Sequence, residues 1–123
     1  MYHVMILSKE LSLFDPVRDE LEKCPDYHIT VFTDEMELLR QYVVIEVDLV
    51  VVDIDMVLER VKNLISVLRL LQKKVKIVLI LSKENLKFCS TAFSSGVSTY
   101  LLKPVVPENI LDIIRSRLHP TSS

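Results

Sequence analysis

Residues 48–56 read Asp-Leu-Val-Val-Val-Asp-Ile-Asp-Met, and the fold depends on this stretch. Four consecutive apolar residues, Leu49 to Val52, lie between Asp48 and Asp53. A strand at the centre of a parallel sheet is covered by helices on both faces, so it reads as a short apolar run with few polar positions. The stretch therefore predicts a central parallel strand that ends at Asp53.

Strand-like runs and helical periodicity alternate on both sides of this segment. Short apolar runs predict strands, and apolar residues spaced by three and four predict helices. The strands are expected at 3–7, 28–32, 49–52, 77–81 and 97–102. The helices are expected to begin at Asp15-Pro16 and at Thr33 or Asp34, to span 56–72 and 84–95, and to begin at Pro107. This alternation predicts a three-layer, doubly wound α/β fold with a five-stranded parallel sheet.

Helix ends also carry signals in the sequence. Asp55 is expected to be the N-cap of the third helix. Gly96, the only glycine, is expected to follow the end of the fourth helix as a left-handed C-cap residue. His119-Pro120 is expected to end the last helix. One domain is therefore predicted over residues 1–119, followed by a short tail at 120–123.

Composition and charge exclude several classes of protein. The chain has 15 basic and 17 acidic side chains and a net charge of −2, whereas a nucleic-acid-binding domain shows a basic excess or stripe. The longest apolar run, Ile77 to Leu81, is far shorter than the ~20 residues of a membrane-spanning helix. Cys24 and Cys89 form no CxxC motif, and no signal-peptide pattern opens the chain. A cytoplasmic protein without direct nucleic-acid or membrane binding is expected.

Polar side chains follow the predicted strands directly. In open α/β folds, ligands and chemistry gather at the carboxyl ends of the strands. The residues at these positions are Ser8, Lys9 and Glu10 after the first strand, Asp53 and Asp55 after the third, Ser82 after the fourth, and Lys103-Pro104 after the fifth. These residues are the candidates for a functional site.

Three motifs, in this order, resemble those of response-regulator receiver domains, the CheY-like superfamily. Residues 48–56 resemble the strand that ends in the phospho-accepting aspartate. Residues 77–82, Ile-Val-Leu-Ile-Leu-Ser, resemble the strand that ends in the switch hydroxyl. Residues 96–104, Gly-Val-Ser-Thr-Tyr-Leu-Leu-Lys-Pro, resemble the segment with the switch aromatic and the Lys-Pro pair. The resemblance implies a flavodoxin-like (βα)5 fold with strand order 2-1-3-4-5 and a role in two-component or phosphorelay signal transduction.

The resemblance also implies a role for each site residue. Asp53 would accept a phosphoryl group from a histidine kinase or a small phosphodonor, and Ser82 would hydrogen-bond the phosphoryl oxygens. Tyr100 would move from exposed to buried, Lys103 would pair with the phosphoryl charge, and the bond to Pro104 would be cis. By analogy with other phospho-residues, an acyl phosphate adds about −1.5 to −2 charge, so a cation and a hydrogen-bond donor are needed nearby.

The acidic pocket departs from the family pattern. The family ends its first strand with two acidic residues that hold Mg²⁺, but a gap-free alignment places Ser8 and Lys9 there. Mg²⁺ prefers octahedral oxygen ligands that include carboxylates. This altered pocket of Ser8, Lys9, Glu10 and Asp55 is therefore expected to bind Mg²⁺ weakly or not at all. Glu10 would restore a carboxylate only if the strand shifted by one residue, which would exchange its two faces.

Two signalling hypotheses remain open. In one, Asp53 is phosphorylated by a histidine kinase, with Lys9 or Lys103 replacing part of the metal's charge. In the other, Lys9 pairs with Asp53, and the domain acts through protein contacts with weak or no phosphorylation. Phosphoryl transfer depends on electrostatic stabilisation that the metal largely supplies, so the second hypothesis is favoured. The expected partners are a histidine kinase, an output domain or a second copy, through the face of the fourth helix, fifth strand and fifth helix.

A small enzyme or cofactor-binding domain on the same architecture is the remaining alternative. A dinucleotide-binding turn needs the GxGxxG pattern, and the chain has one glycine. The segment after the first strand, Ser-Lys-Glu-Leu-Ser-Leu-Phe, is not a hydroxyl- and glycine-rich phosphate loop. Nucleophilic catalysis needs a base beside the nucleophile, and no histidine falls at a strand's carboxyl end. An enzymatic function is not expected.

Overall fold

The computed structural model describes residues 1–93, 97 and 99–118. The described residues form five parallel strands, in the order β2-β1-β3-β4-β5. The strands are β1 (Tyr2–Leu7), β2 (Tyr27–Phe32), β3 (Leu49–Asp53), β4 (Lys76–Leu81) and β5 (Thr99–Leu102). The doubly wound, flavodoxin-like (βα)5 fold is therefore confirmed.

Helices connect successive strands and cover both faces of the sheet. They are α1 (Leu11–Leu21), α2 (Glu35–Tyr42), α3 (Val61–Leu71), α4 (Lys87–Phe93) and α5 (Pro107–Leu118). Shorter helical segments lie at Ile54–Val57, Leu58–Arg60 and Lys83–Asn85. One hydrophobic cluster packs α2, α3 and α4 on one face, and a second packs α1 and α5 on the other.

The central strand β3 contributes to both clusters. All four of its apolar side chains are fully buried; Val50 and Val52 lie in one cluster, and Leu49 and Val51 in the other. Burying each such side chain contributes roughly 1.5–3 kcal/mol relative to leaving it exposed. The burial of both faces explains why this segment reads as an uninterrupted apolar run.

Helix α1 begins earlier than the sequence predicted. The predicted start at Asp15-Pro16 is wrong, because the helix begins at Leu11 with Glu10 as its N-cap residue. Phe14 is fully buried on the inner face of this first turn, and burial of its ring favours the longer amphipathic helix. The earlier start brings Glu10 to the carboxyl edge of the sheet.

The chain after β3 differs from the single helix predicted over 56–72. The predicted N-cap Asp55 is also wrong, because the Asp53 carboxylate accepts the capping hydrogen bond, from the backbone N–H of Asp55 at 3.1 Å. The first helical turn ends at Val57, and the next residue, Leu58, has a φ of 51°. A residue with positive φ interrupts the i to i−4 hydrogen-bond ladder, so α3 begins only afterwards.

A network of uncharged groups lies at the opposite, amino edge of the sheet. The Gln72 amide nitrogen donates to the carbonyls of Tyr42 and Ile45 at 3.0 and 2.8 Å, and its oxygen accepts from the N–H of Val47 at 2.8 Å. The Tyr42 hydroxyl donates to the carbonyl of Leu68 at 2.8 Å, and burial raises the pKa of Tyr42 to about 12. This neutral network satisfies backbone groups in the turn that leads into β3.

Some sequence predictions fall outside the described residues. They are the cap at Gly96, the helix stop at His119-Pro120, and the boundary between a domain at 1–119 and a tail at 120–123. Among the helices described, none is both long enough and apolar enough to cross a bilayer.

Candidate functional site

The ends of four strands bring polar side chains together at the carboxyl edge of the sheet. Ser8 follows β1, Asp53 ends β3, Ser82 follows β4 and Lys103 follows β5. Ser8 is 0% exposed and Asp53 is 3% exposed. The predicted site is therefore partly enclosed, and its charges are only weakly screened by water.

The Asp53 carboxylate is hydrogen-bonded through both oxygens. Oδ2 accepts from the Ser8 hydroxyl at 2.9 Å and from Lys103 Nζ at 3.0 Å. Oδ1 accepts from Lys103 Nζ at 3.1 Å and from the Asp55 N–H at 3.1 Å. Ser8 in turn accepts from the Glu10 N–H at 3.1 Å, which orients its hydroxyl. Asp53 is thus fixed in place by donors from three segments.

Lys103 is the cation shared by three carboxylates. Its ammonium contacts Asp53, lies 2.9 Å from Asp55 Oδ2, and forms an ion pair with Glu10. An ammonium group has three N–H donors, one for each carboxylate. We call Glu10, Asp53, Asp55 and Lys103 the charged network. With all four groups ionised, it carries three negative charges and one positive charge.

Asp55 connects this network to the loop after β4. Its carboxylate accepts from the Ser82 N–H at 2.9 and 3.1 Å and from the Ser82 hydroxyl at 2.5 Å. The Asn85 amide donates to Oδ1 of Asp55 at 2.7 Å. The hydroxyl predicted to contact a phosphoryl group on Asp53 therefore donates to Asp55.

The pKa values of the two aspartates shift in opposite directions. Burial raises the pKa of Asp53, although hydrogen bonds from Lys103 and Ser8 favour the ionised carboxylate. Burial also acts to raise the pKa of Asp55, but hydrogen bonds from Ser82, Asn85 and Lys103 outweigh it, so this pKa is lowered. Burial opposes the charge of Lys103, yet its carboxylate partners raise its pKa above the ordinary range. Asp53 is the more readily protonated of the two aspartates.

Lys9 lies away from the pocket, and the hypothesised pair with Asp53 is not formed. The Lys9 side chain is exposed, and across the described part of the chain the cation that pairs with Asp53 is Lys103. β1 ends at Leu7, and the chain bends at Lys9. Ser8 is buried against Asp53, whereas its neighbour Lys9 is exposed to solvent.

Glu10 reaches the pocket without the one-residue shift that the sequence required. Leu7 lies opposite Val52 in the pairing of β1 with β3, so Ser8 comes next to Asp53 as in the gap-free alignment. Glu10 follows the bend at Lys9 and is the N-cap residue of α1. Its carboxylate contacts Lys103 from the start of α1.

The carboxylate oxygens of the pocket are already bound by donors of the protein. The Lys103 ammonium lies between the three carboxylates, and internal donors already bind both oxygens of Asp53 and Asp55. Mg²⁺ demands oxygen ligands at about 2.0–2.1 Å in near-octahedral geometry. Among the residues described, no three or more His, Cys, Asp or Glu side chains are grouped so as to hold a metal ion.

Tyr100 belongs to a separate apolar surface. The residue is 39% exposed, and its ring packs against that of Phe93, with the ring centroids 5.5 Å apart. Leu102 and Val106 are exposed nearby in sequence, and we call these four residues the β5 surface. The Lys103–Pro104 peptide bond, cis as the resemblance implied, lies between β5 and α5.

Asn85 is a site residue that sequence reasoning missed. It lies three residues after Ser82, in the short helical segment that precedes α4. The feature that could have indicated it is a polar side chain one helical turn beyond the carboxyl end of a strand, because functional sites of this class of fold lie at that edge of the sheet. Nothing in the sequence alone showed that it would donate to Asp55.

The sequence profile of the response regulator receiver domain family matches residues 4–115. This match covers most of the chain and includes every residue of the site. No curated protein matches the chain.

Solved structures show the same fold at low sequence identity. A response regulator from Thermotoga maritima is 22% identical, with a TM-score of 0.80 and coverage of 96% of this chain and 98% of that one. A CheY-like receiver domain protein from Methanospirillum hungatei JF-1 is 18% identical, with a TM-score of 0.80 and coverage of 98% and 95%. Full-length FixJ from B. japonicum is 17% identical, with a TM-score of 0.79, and the match covers 98% of this chain but 59% of that one.

Proposed function

This chain belongs to the response regulator receiver domain family, and we propose that it is an atypical receiver that acts through protein contacts with weak or no phosphorylation. Receiver domains interact with kinases and output domains in two-component signalling, and they are generally not enzymes. The observation that carries the proposal is that both carboxylate oxygens of Asp53 already accept hydrogen bonds within the protein. Its side chain is 4% exposed, and donors from Ser8, Lys103 and Asp55 occupy both oxygens.

The occupation of both oxygens opposes attack by Asp53 on a phosphodonor, although Lys103 also supplies a positive charge. A carboxylate oxygen that attacks phosphorus must first release its hydrogen-bond donors and be reached by the phosphodonor. The attack also brings more negative charge to a network that already has three carboxylates and one ammonium. Phosphoryl transfer relies on electrostatic stabilisation of this charge. We therefore propose that Mg²⁺ binds weakly or not at all and that phosphorylation is slow.

The β5 surface is the proposed contact region. Phe93, Tyr100, Leu102 and Val106 are exposed apolar side chains on or beside α4, β5 and α5. Aromatic side chains supply much of the buried area in protein interfaces. We propose a protein partner there, either a histidine kinase, an output domain or a second copy of the chain, and a cytoplasmic location. No direct contact with nucleic acid or membrane is proposed.

The second candidate is a receiver that is phosphorylated on Asp53. The observation in its favour is the position of Lys103, whose ammonium lies 3.0 Å from Asp53 Oδ2 and could balance the charge of a phosphoryl group. Ser82 also lies at the end of the neighbouring strand. Under this candidate, Asp53 must separate from Ser8 during transfer, and Ser82 must release Asp55.

The two candidates differ in their response to beryllofluoride, a stable mimic of an aspartyl phosphate. We would titrate the full chain with Mg²⁺ and beryllofluoride and follow the amide signals by NMR. The proposed function predicts no saturable shifts at Ser82, Tyr100 and Lys103 at millimolar ligand. Saturable shifts at these residues, absent from an Asp53→Asn control, would overturn it in favour of the phosphorylated receiver.

A further inference from the structure

The loop after β4 is hydrogen-bonded to Asp55, whereas the hydrogen bonds of Asp53 come from other segments. Ser82 donates to Asp55 through both its hydroxyl and its N–H, and Asn85 donates through its side-chain amide. Asp53 receives its hydrogen bonds from Ser8, Lys103 and the Asp55 N–H. The negative charge that holds this loop is therefore located two residues beyond the predicted phosphoacceptor.

The donors that hold Asp55 are limited in number. A hydroxyl has one hydrogen to donate and an ammonium has three. The single hydrogen of Ser82 is directed to Asp55, and the three of Lys103 face Asp55, Asp53 and Glu10. A phosphoryl group on Asp53 would need the Ser82 hydrogen, which it would have to take from Asp55, and it would share Lys103 with Asp55.

We propose that the Asp55 carboxylate stands in for a phosphoryl group: it holds the Ser82 loop against the pocket in the unmodified protein and competes with any phosphoryl group on Asp53 for Ser82 and Lys103. This inference rests on the proposed function and adds its regulation. It makes Asp55 a positioning residue, which acts through Ser82. The Ser82 loop is held against the pocket without phosphorylation. The contact between Asp55 and Ser82 that holds it there also disfavours phosphorylation of Asp53.

The chemistry of the contact supports this role. Hydrogen bonds from a hydroxyl or an N–H to a carboxylate are charge-assisted and are stronger than those between neutral groups. Asp55 is 23% exposed at its side chain, and Lys103 is 18% exposed, so water screens their interaction only in part. The carboxylate is planar and a phosphoryl group is tetrahedral, but each offers several acceptor oxygens to the same donors.

The first test measures whether Asp55 holds the loop. Amide hydrogen exchange would be compared in wild type, Asp55→Ala and Glu84→Ala. Glu84 lies in the same loop and is exposed, so its removal deletes the same charge and leaves the Asp55 contacts in place. We expect exchange at the Ser82 amide to rise about tenfold to hundredfold in Asp55→Ala, from the loss of charge-assisted hydrogen bonds. It should be unchanged in Glu84→Ala, and the amides of β1 should be unchanged in both.

The second test measures the competition. Asp55→Ala is expected to bind beryllofluoride, in the presence of Mg²⁺, at least about tenfold more tightly than wild type. Adding Ser82→Ala should abolish the gain, because the released hydroxyl is then missing. If Asp55→Ala does not fold, Asp55→Asn keeps the shape and one acceptor oxygen, and the same direction of change is expected. An equal gain in Glu84→Ala would mean that the effect is one of net charge, and would overturn the proposal.

The outcomes separate this inference from the proposed function. Tight binding of beryllofluoride by the wild type would overturn the proposed function, but accelerated exchange in Asp55→Ala would still support the loop contact. Unchanged exchange at Ser82 in Asp55→Ala and Asp55→Asn would overturn the inference, whatever the wild type binds.

Discussion

The charged network and the neutral network lie at opposite ends of β3 and solve the same problem differently. Both satisfy polar groups where the buried strand meets a loop. In the neutral network, Gln72 contacts three backbone groups and leaves no charge unbalanced. In the charged network, one ammonium faces three carboxylates. Both networks satisfy their hydrogen-bonding groups, so this alone does not make a site respond to pH or to ligands. The excess of negative charge makes the charged network sensitive to protonation and to the addition of further anions.

The sign of this sensitivity follows from the pKa shifts. Because the pKa of Asp55 is lowered, its stabilising effect is present above the ordinary aspartate pKa and is lost as the pH falls through the lowered value. The raised pKa of Asp53 has the opposite effect, since its protonated form stabilises the fold at low pH and this contribution is lost as the pH rises through the raised value. The raised pKa of Lys103 keeps its stabilising effect up to strongly alkaline pH.

The largest expected effect comes from removing the shared cation. Lys103→Met leaves three carboxylates without their ammonium, and we expect the free energy of unfolding at pH 7 to fall by about 3 kcal/mol, as when one partner of a buried ion pair is deleted. The loss should shrink at pH 5, because Asp53 becomes protonated more readily without its cation. Urea unfolding at both pH values measures this. The control is Lys83→Met, which removes an exposed lysine from the nearby loop. If Lys103→Met lowered the free energy of unfolding equally at both pH values, the excess negative charge would not be the cause of the loss.

A smaller effect is expected at the neutral network. Gln72→Ala removes three hydrogen bonds to backbone groups, some of which water can replace, and we expect a loss of about 2 kcal/mol. Because none of these groups titrates near neutrality, the loss should be the same at pH 5 and pH 8. Urea unfolding again measures it, with the exposed neighbour Lys73→Ala as the control. If the loss in free energy of unfolding for Gln72→Ala varied with pH, the two networks would not differ in the way proposed.

The smallest effect is expected at Lys9. Its side chain is exposed and has no part in the charged network, so Lys9→Ala should change the free energy of unfolding by less than about 0.5 kcal/mol. The measurement is thermal unfolding beside Ser8→Ala, which removes a hydrogen bond to Asp53 and should cost about 1–2 kcal/mol. If Lys9→Ala lowered the free energy of unfolding as much as Ser8→Ala, Lys9 would contribute to the pocket after all.

The fold could be predicted from the sequence because the hydrophobic patterns that indicate strands and helices are local and are repeated along the chain. The apolar run of β3 predicted a strand covered on both faces, and all its side chains are buried. The site was harder to predict, because the partner of each charge depends on where neighbouring elements begin. The predicted start at Asp15-Pro16 gave no reason to place Glu10 beside Lys103. The start at Leu11, favoured by burial of Phe14, brings it to Lys103.

The two aspartates after β3 illustrate the same limit. The sequence placed Asp53 and Asp55 at one strand end, but it could not show which of them would accept from Ser82. That choice depends on the helical turn that begins at Ile54, because the turn directs Asp55 towards β4. Spacing along the chain does not encode this direction.

The break at Leu58 has a mechanical consequence. A continuous helix behaves as a stiff rod, because each turn is tied to the next by hydrogen bonds. The positive φ of Leu58 acts as a joint between the turn that follows Asp53 and the rod of α3. The turn after Asp53 and the rod of α3 therefore do not share one hydrogen-bond ladder, whereas Asp55 is hydrogen-bonded directly to Ser82 in the loop after β4. The direct hydrogen-bonded route away from the end of β3 thus leads across the sheet to the neighbouring strand and not along the third helix.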